Sequence, residues 1–233
     1  MQQITPDVYT FTGLTVGRVY LIHDPDGLTI IDTSIPNAGP KMLDQIAAQG
    51  WSADQVRRIL ITHAHPDHIG ALAYLQAHTQ AKVYASAPER EVIEGRALVL
   101  RPTRDQLRGP ARLLVIPMQP ASRSGSVDET IQEGTIIPAL GGLQVLGAPG
   151  HAPGQIAFWQ PEQRILFCGD AMMNIFGGLR LPIPMFTPDM DEAIRSIGKL
   201  ARLDIAITCF GHGLPLVGVE PIRAFAGRVS VQA

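Results

Sequence analysis

The chain has 233 residues and a formal net charge of −2 at pH 7, with 45% hydrophobic and 17% charged residues. It is too apolar for a disordered chain, and too weakly charged for an overall electrostatic grip on nucleic acid or an anionic membrane. No stretch reaches the ~18 apolar residues of a membrane span, and the N-terminus lacks the basic start and apolar run of a secretory leader. We therefore expect a cytoplasmic protein forming one domain over 1–233, with a small molecule as substrate.

In chain order, β-rich runs at 8–11, 18–24 and 28–33 precede a helix-period stretch around 39–49. The run 57–65, RRILITHAH, carries a strand into a histidine-rich turn, and a helix is expected over 68–78. A strand at 81–86 follows, then a helix over 88–98 that Pro88 opens in its first turn. Residues 99–126 are irregular and basic, with Arg101, Arg104, Arg108, Arg112 and Arg123 against Asp105. The plain reading is a solvated surface; the sharper one is a flap that holds an acidic substrate group.

The second half gives strands at 143–151, 156–160, 164–170 and 204–213. A helix over 187–203 separates the last two, with Thr187 as N-cap and Pro188 at N1. Alternating strands and helices point to α/β layering. Cys168 and Cys209 sit in apolar strand-like runs, where buried, reduced thiols are expected.

Three of the seven histidines, His63, His65 and His68, fall within HAHPDH together with Asp67. Four apolar runs end in His63/His65, His151, Asp170 and His212, so loops at strand carboxyl ends can bring them to one rim. Imidazole and carboxylate donors in this number suit zinc, with iron or manganese as alternatives. His63, His65 and His151 can serve one ion and Asp67, His68 and His212 a second, with Asp170 between them. Such a pair activates water for hydrolysis, with the acyl carbonyl near the three-histidine ion and the departing atom near the other. Lone His23 and His78 read as ordinary surface or core residues.

These motifs resemble the metallo-β-lactamase superfamily, whose H-x-H-x-D-H signature stands here as HAHPDH, with His151 in APGHAPGQ, Asp170 in LFCGDA and His212 in CFGHG. Asp32 in IIDTS resembles the family's first motif, and implies a side chain that supports the metal loop by hydrogen bonding. The likeness spans about 8–220 and implies a four-layer αββα sandwich. It also implies a binuclear zinc hydrolase of ester, lactone or thioester bonds, with the seven His and Asp residues as ligands and catalytic centre.

Within that family the chain lacks the helical extension typical of glyoxalase II, with 21 residues after His212, and has His65 where flavodiiron proteins carry glutamate. It has no room for a nuclease's RNA-gripping insertion and no export signal like that of true β-lactamases. Compact quorum-quenching lactonases look nearest, yet Met173 stands where many of them carry tyrosine. Sulfur dioxygenases, which oxidise persulfides with a single iron, are the runner-up. A non-catalytic metal-binding protein is the alternative of a different class. The Met-, Phe- and Pro-rich segment 171–186 has two readings: an apolar lining or mobile loop of the substrate pocket, with Met173, Asn174, Phe176 and Arg180 facing substrate, or ordinary packing beneath the metal rim or a subunit contact. The sequence sets no oligomeric state; a homodimer is compatible with it.

Overall fold

The computed structural model describes residues 1–107 and 124–231. The first half builds a seven-stranded sheet of β1 (Gln2–Thr5), β2 (Val8–Thr10), β3 (Tyr20–Asp24), β4 (Gly27–Ile31), β5 (Val56–Leu60), β6 (Lys82–Ala85) and β7 (Glu129–Thr130), in that spatial order. The first four strands run antiparallel, whereas β4 to β7 are parallel. Crossovers carrying α1 (Ala38–Ala47), α2 (Pro66–Ile69), α3 (Leu72–His78) and α4 (Ala87–Ile93) make those parallel pairs feasible.

The second half forms a six-stranded sheet ordered β15, β14, β11, β10, β9, β8, from β8 (Ile136–Ile137), β9 (Leu143–Gly147), β10 (Ile156–Gln160), β11 (Ile165–Gly169), β14 (Ile207–Phe210) and β15 (Leu216–Val217). A separate hairpin joins β12 (Met173–Ile175) and β13 (Gly178–Arg180), and α5 (Met190–Leu200) and α6 (Glu220–Ser230) complete the half.

Period-two alternation decides the layering. In β11, Ile165 and Phe167 face the other sheet, while Leu166 and Cys168 face α5 and α6. In the first sheet Ile31 and Leu60 join that central core, and Ile30 and Ile59 pack outward against α1 to α4. Three buried apolar layers therefore separate four layers of structure, an αββα sandwich. Cys168 and Cys209 are both buried and unbonded, on opposite faces of neighbouring strands, which keeps them apart. Among the described residues no helix is long and apolar enough to cross a membrane.

Several expected elements differ. The helix over 68–78 is two helices, because Thr33 N and Gly70 N bond His68 O and Ser34 O respectively, drawing this backbone to the neighbouring loop. The helix over 88–98 stops at Ile93, where Gly95 at φ +75° reverses the chain and Arg96 N and Ala97 N both bond Glu91 O. The helix expected from 187 begins at Met190. Its N-cap is Asp189, whose carboxylate accepts the Glu192 N–H at 2.8 Å; Thr187 is engaged elsewhere. Segment 171–186 contains the β12–β13 hairpin and a 3₁₀ turn at Pro184–Phe186. Of the basic segment, 108–123, with Arg108, Arg112 and Arg123, lies outside the described residues.

Candidate metal centre

The expected ligands come together where the two sheets' loops meet. β5 ends at Leu60, and the following turn carries His63 and His65; Pro66 then starts α2, which holds Asp67 and His68. His151 follows β9, Asp170 directly follows β11, and His212 lies two residues past β14. Donor atoms of His63, His65 and His151 form one group within 4.8 Å of each other; those of Asp67, His68 and His212 form another, and His63, His68 and Asp170 a third between them. Asp170 spans the two ends, with Oδ1 3.5 Å from His68 Nε2, and Oδ2 3.5 Å from His151 Nε2 and 3.2 Å from His212 Nε2.

Hydrogen bonds aim the rings. Asp32, in the left-handed region at φ +61°, accepts His68 Nδ1–H on Oδ2 at 2.8 Å. It also accepts the Thr62 N–H and hydroxyl, each at 2.8 Å. With its proton given to Asp32, the Thr62 hydroxyl accepts from His63 Nδ1–H at 3.1 Å. Thr187 repeats the device: its hydroxyl donates to Ile183 O at 2.9 Å and accepts His151 Nδ1–H at 3.0 Å. In all three rings Nδ1 is thereby occupied and Nε2 turned inward, the arrangement that fixes a ligating imidazole.

The inward atoms His63 Nε2, His68 Nε2, His151 Nε2 and Asp170 Oδ1 are buried without a hydrogen-bond partner. Buried polar atoms are rarely left so, and four converging ones are the signature of a cation's place. The donor set of imidazoles and carboxylates fits a divalent metal.

Electrostatics differ along the cluster. Burial, helped by neighbouring imidazoles, pushes His63 and His65 well below the usual histidine range, so both are neutral with a lone pair available. Burial likewise takes His151 down to about 4, against the pull of Asp170. At the other end burial is outweighed: Asp170 and Asp32 raise His68 to about 9, and Asp170 and Asp67 raise His212 to about 10. Asp67 itself, despite partial burial, is held well below the usual carboxylate range by His212 and His68. These two histidines hold protons where a cation would replace them.

Two glycines explain the close approach of other segments. A Cβ on Gly211 would lie 2.1 Å from Asp170 Oδ1 and 2.7 Å from His68 Cε1. Gly17, at φ +69°, brings the 12–18 loop so near that a Cβ would sit 1.9 Å from Asp67 O. Arg18 then secures the His212 loop, its N–H bonding Gly211 O at 2.7 Å and its Nε–H bonding Gly213 O.

Sequence reasoning missed three supports. Thr62 left a trace, a polar residue ending an apolar strand run; Thr187 was visible but read as a cap. Glu89 left none. Its buried carboxylate accepts Ala64 N–H at 2.7 Å and Gly154 N–H at 2.8 Å, clasping the two loops that deliver His65 and His151. Burial raises this carboxyl's pKa and the two amides oppose the rise.

The residues expected to face substrate lie on the β12–β13 hairpin, which is tied to the His212 loop by Asn174 N–H bonding His212 O at 3.0 Å. Met173 is 2% exposed, and Asn174 donates Nδ2–H to Leu214 O at 2.8 Å. Phe176 is 89% exposed at the hairpin tip, and Arg180 pairs across from Met173. Of the basic segment, Arg101 stacks its guanidinium 4.5 Å from the Phe186 ring centre and lies near enough to His65 for its charge to oppose protonation there. Burial lowers its pKa, and Asp67 is near enough to oppose that.

A family model described as "Metallo-beta-lactamase superfamily" matches residues 12–212. The chain is 29% identical over 227 residues to the Bacillus subtilis (strain 168) protein named "Probable metallo-hydrolase YflN", covering 88% of this chain and 84% of that one. It is 28% identical to the hydroxyacylglutathione hydrolase of Methylococcus capsulatus (strain ATCC 33009 / NCIMB 11132 / Bath), with 79% of this chain aligned to 57% of that relative's length. Among solved structures, a metallo-beta-lactamase family protein of Thermus thermophilus superposes with TM-score 0.71 at 20% identity, over 99% of this chain and 81% of that one.

Proposed function

The chain belongs to the metallo-β-lactamase superfamily, and from that premise we propose that it is a zinc-dependent hydrolase cleaving an ester, lactone or thioester bond of a small molecule in the cytoplasm. The observation that carries this reading is the convergence of the unpartnered atoms His63 Nε2, His68 Nε2, His151 Nε2 and Asp170 Oδ1. His63, His65 and His151 would hold one ion, and Asp67, His68 and His212 a second, with Asp170 shared. When bound, such a pair supplies activated water and stabilises charge that develops on oxygen.

The chain's own residues supply the rest. Asp32 and Thr187 keep the ring nitrogens aimed inward, so little reorganisation is needed as charge moves. Asp67, ionised and partly exposed beside His212, presents a hydrogen-bond acceptor at the end where the departing atom would lie. The relatives named as hydroxyacylglutathione hydrolases support including thioesters among the bonds considered.

The test is elemental analysis of the purified protein alongside hydrolysis of lactones, aryl esters, thioesters and a β-lactam. About two zinc ions per chain with turnover is the expected result. One iron per chain, no hydrolysis, and oxygen uptake with persulfides would overturn it in favour of a dioxygenase.

A further inference from the structure

Two cavities flank the ligand cluster, and they differ in chemistry. The first, of about 410 Å³, opens between α4, residues 97–100 and residues 152–153, and reaches His65. Its wall is almost wholly carbon, from Val92, Leu98, Leu100, Ala152 and Pro153. The two carboxylates in it are already engaged: Glu89 by the Ala64 and Gly154 amides, and Glu91 by Arg96 at 2.7 Å. Leu98 and Leu100 are 41% and 45% exposed, a surplus of apolar surface that an apolar occupant would cover. The second cavity, about 330 Å³, adjoins His212 and is walled mainly by polar groups, including those of Thr12, Thr15 and Arg18. Both volumes fall within the ~300–1,000 Å³ typical of small-molecule sites.

We propose that the cavity at His65 is an acyl-chain pocket, and that the substrates are esters or thioesters of a medium-length hydrocarbon acid whose departing part is polar and lies in the cavity at His212. This rests on the hydrolase reading, in which the carbonyl sits at the three-histidine end and the departing atom at the Asp67–His212 end. An acyl substituent then extends past His65 into the carbon-lined space. The departing alcohol or thiol extends past His212 into the polar one. Each methylene buried in the first cavity should improve kcat/KM about fourfold, until the space is filled.

Two substrate series read this out: p-nitrophenyl acetate, butyrate, hexanoate and octanoate, and butyrate esters of alcohols of increasing length. In the wild type, kcat/KM should climb along the acyl series and stay flat or fall along the alcohol series. Leu98→Trp and Leu100→Trp, which fill the cavity, should cost the octanoate at least about tenfold, mainly in KM, and leave the acetate within about twofold. Leu98→Ala and Leu100→Ala should move the preferred length upward, so that a folding defect cannot imitate both results. Octanoate binding by calorimetry supplies a readout free of turnover, and should weaken in the Trp variants. Equal losses for acetate and octanoate, or selectivity that follows the alcohol, would overturn the pocket while leaving the hydrolase standing. If no ester or thioester turns over yet octanoate binds and Leu100→Trp abolishes that binding, the hydrolase reading fails and the pocket stands.

Discussion

The two ends of the ligand cluster, three histidines at one and an aspartate with two histidines at the other, solve opposite electrostatic problems. At the His63–His65–His151 end all three rings are buried and neutral and pack against one another, with Asp170 opposing the effect of burial and His68 and Arg101 adding to it. At the Asp67–His68–His212 end two carboxylates face two histidines, and Asp67 and His212 keep 28% and 21% of their side-chain surface exposed. Neutral ligands ask little of the surrounding dielectric, so that end tolerates a dry wall. Ionised ligands need water or countercharge, so the other end stays open and polar. The contrast in the flanking cavities follows from the contrast in the ligands.

Asp170→Ala tests whether the ends depend on one another, since its carboxylate touches histidines of both. We expect kcat/KM to fall by more than about 100-fold, beyond the ~10–100-fold typical of losing a ligand's hydrogen-bond partner, with metal content reduced at both ends. Full activity at full metal loading would break the comparison outright. Next in size, Thr187→Val should weaken metal binding about 10–100-fold at the three-histidine end alone, because Thr187 orients only His151 among the ligands. Asp32→Asn should reach both ends, through His68 directly and through Thr62 to His63. Competition titrations against a zinc chelator would show one affected binding step in the first variant and two in the second.

A smaller effect is expected of Glu89→Gln. The amide has one acceptor oxygen where the carboxylate used two, which leaves an Ala64 or Gly154 N–H unsatisfied. The cost should be about 1–3 kcal/mol in urea denaturation, with activity largely retained once metal is replete. Phe176→Ala should do least: the ring is almost fully exposed, so stability should change by less than about 0.5 kcal/mol. Acyl-length selectivity should hold as well, because the cavity at His65 does not include the hairpin. A changed length profile would return the hairpin to the substrate site.

What the sequence disclosed follows from how each feature is encoded. Strands such as β5 and β11 were legible because their apolar runs are local, and the ligands because metal chemistry demands His and Asp in tight spacing. Asp32 was legible through its motif. Glu89 was not, since its role is defined by amides 25 and 65 residues away, and any helix surface carries such a glutamate. The split between α2 and α3 was hidden for a similar reason, as the diverted bonds go to Thr33 and Ser34. Thr187 has the composition of a cap, and only the position of His151 reveals its task. The cavity at His65 is not legible in the sequence because it lies between α4 and a stretch that reads as plain surface, whereas the Met- and Phe-rich 171–186 stands out by composition alone.

The Glu89 clasp also bears on the order of events during synthesis. The ribosome delivers HAHPDH and Glu89 well before Gly154, so an early chain presents four clustered donors and a carboxylate that can hold one amide of its pair. A cation taken up then would find neither His151 nor Asp170, and would exchange freely with competitors. Only when the second sheet docks does the clasp close across both halves. On the hydrolase reading, metal retention would thus be a property of the finished sandwich, since only there are all seven ligands assembled.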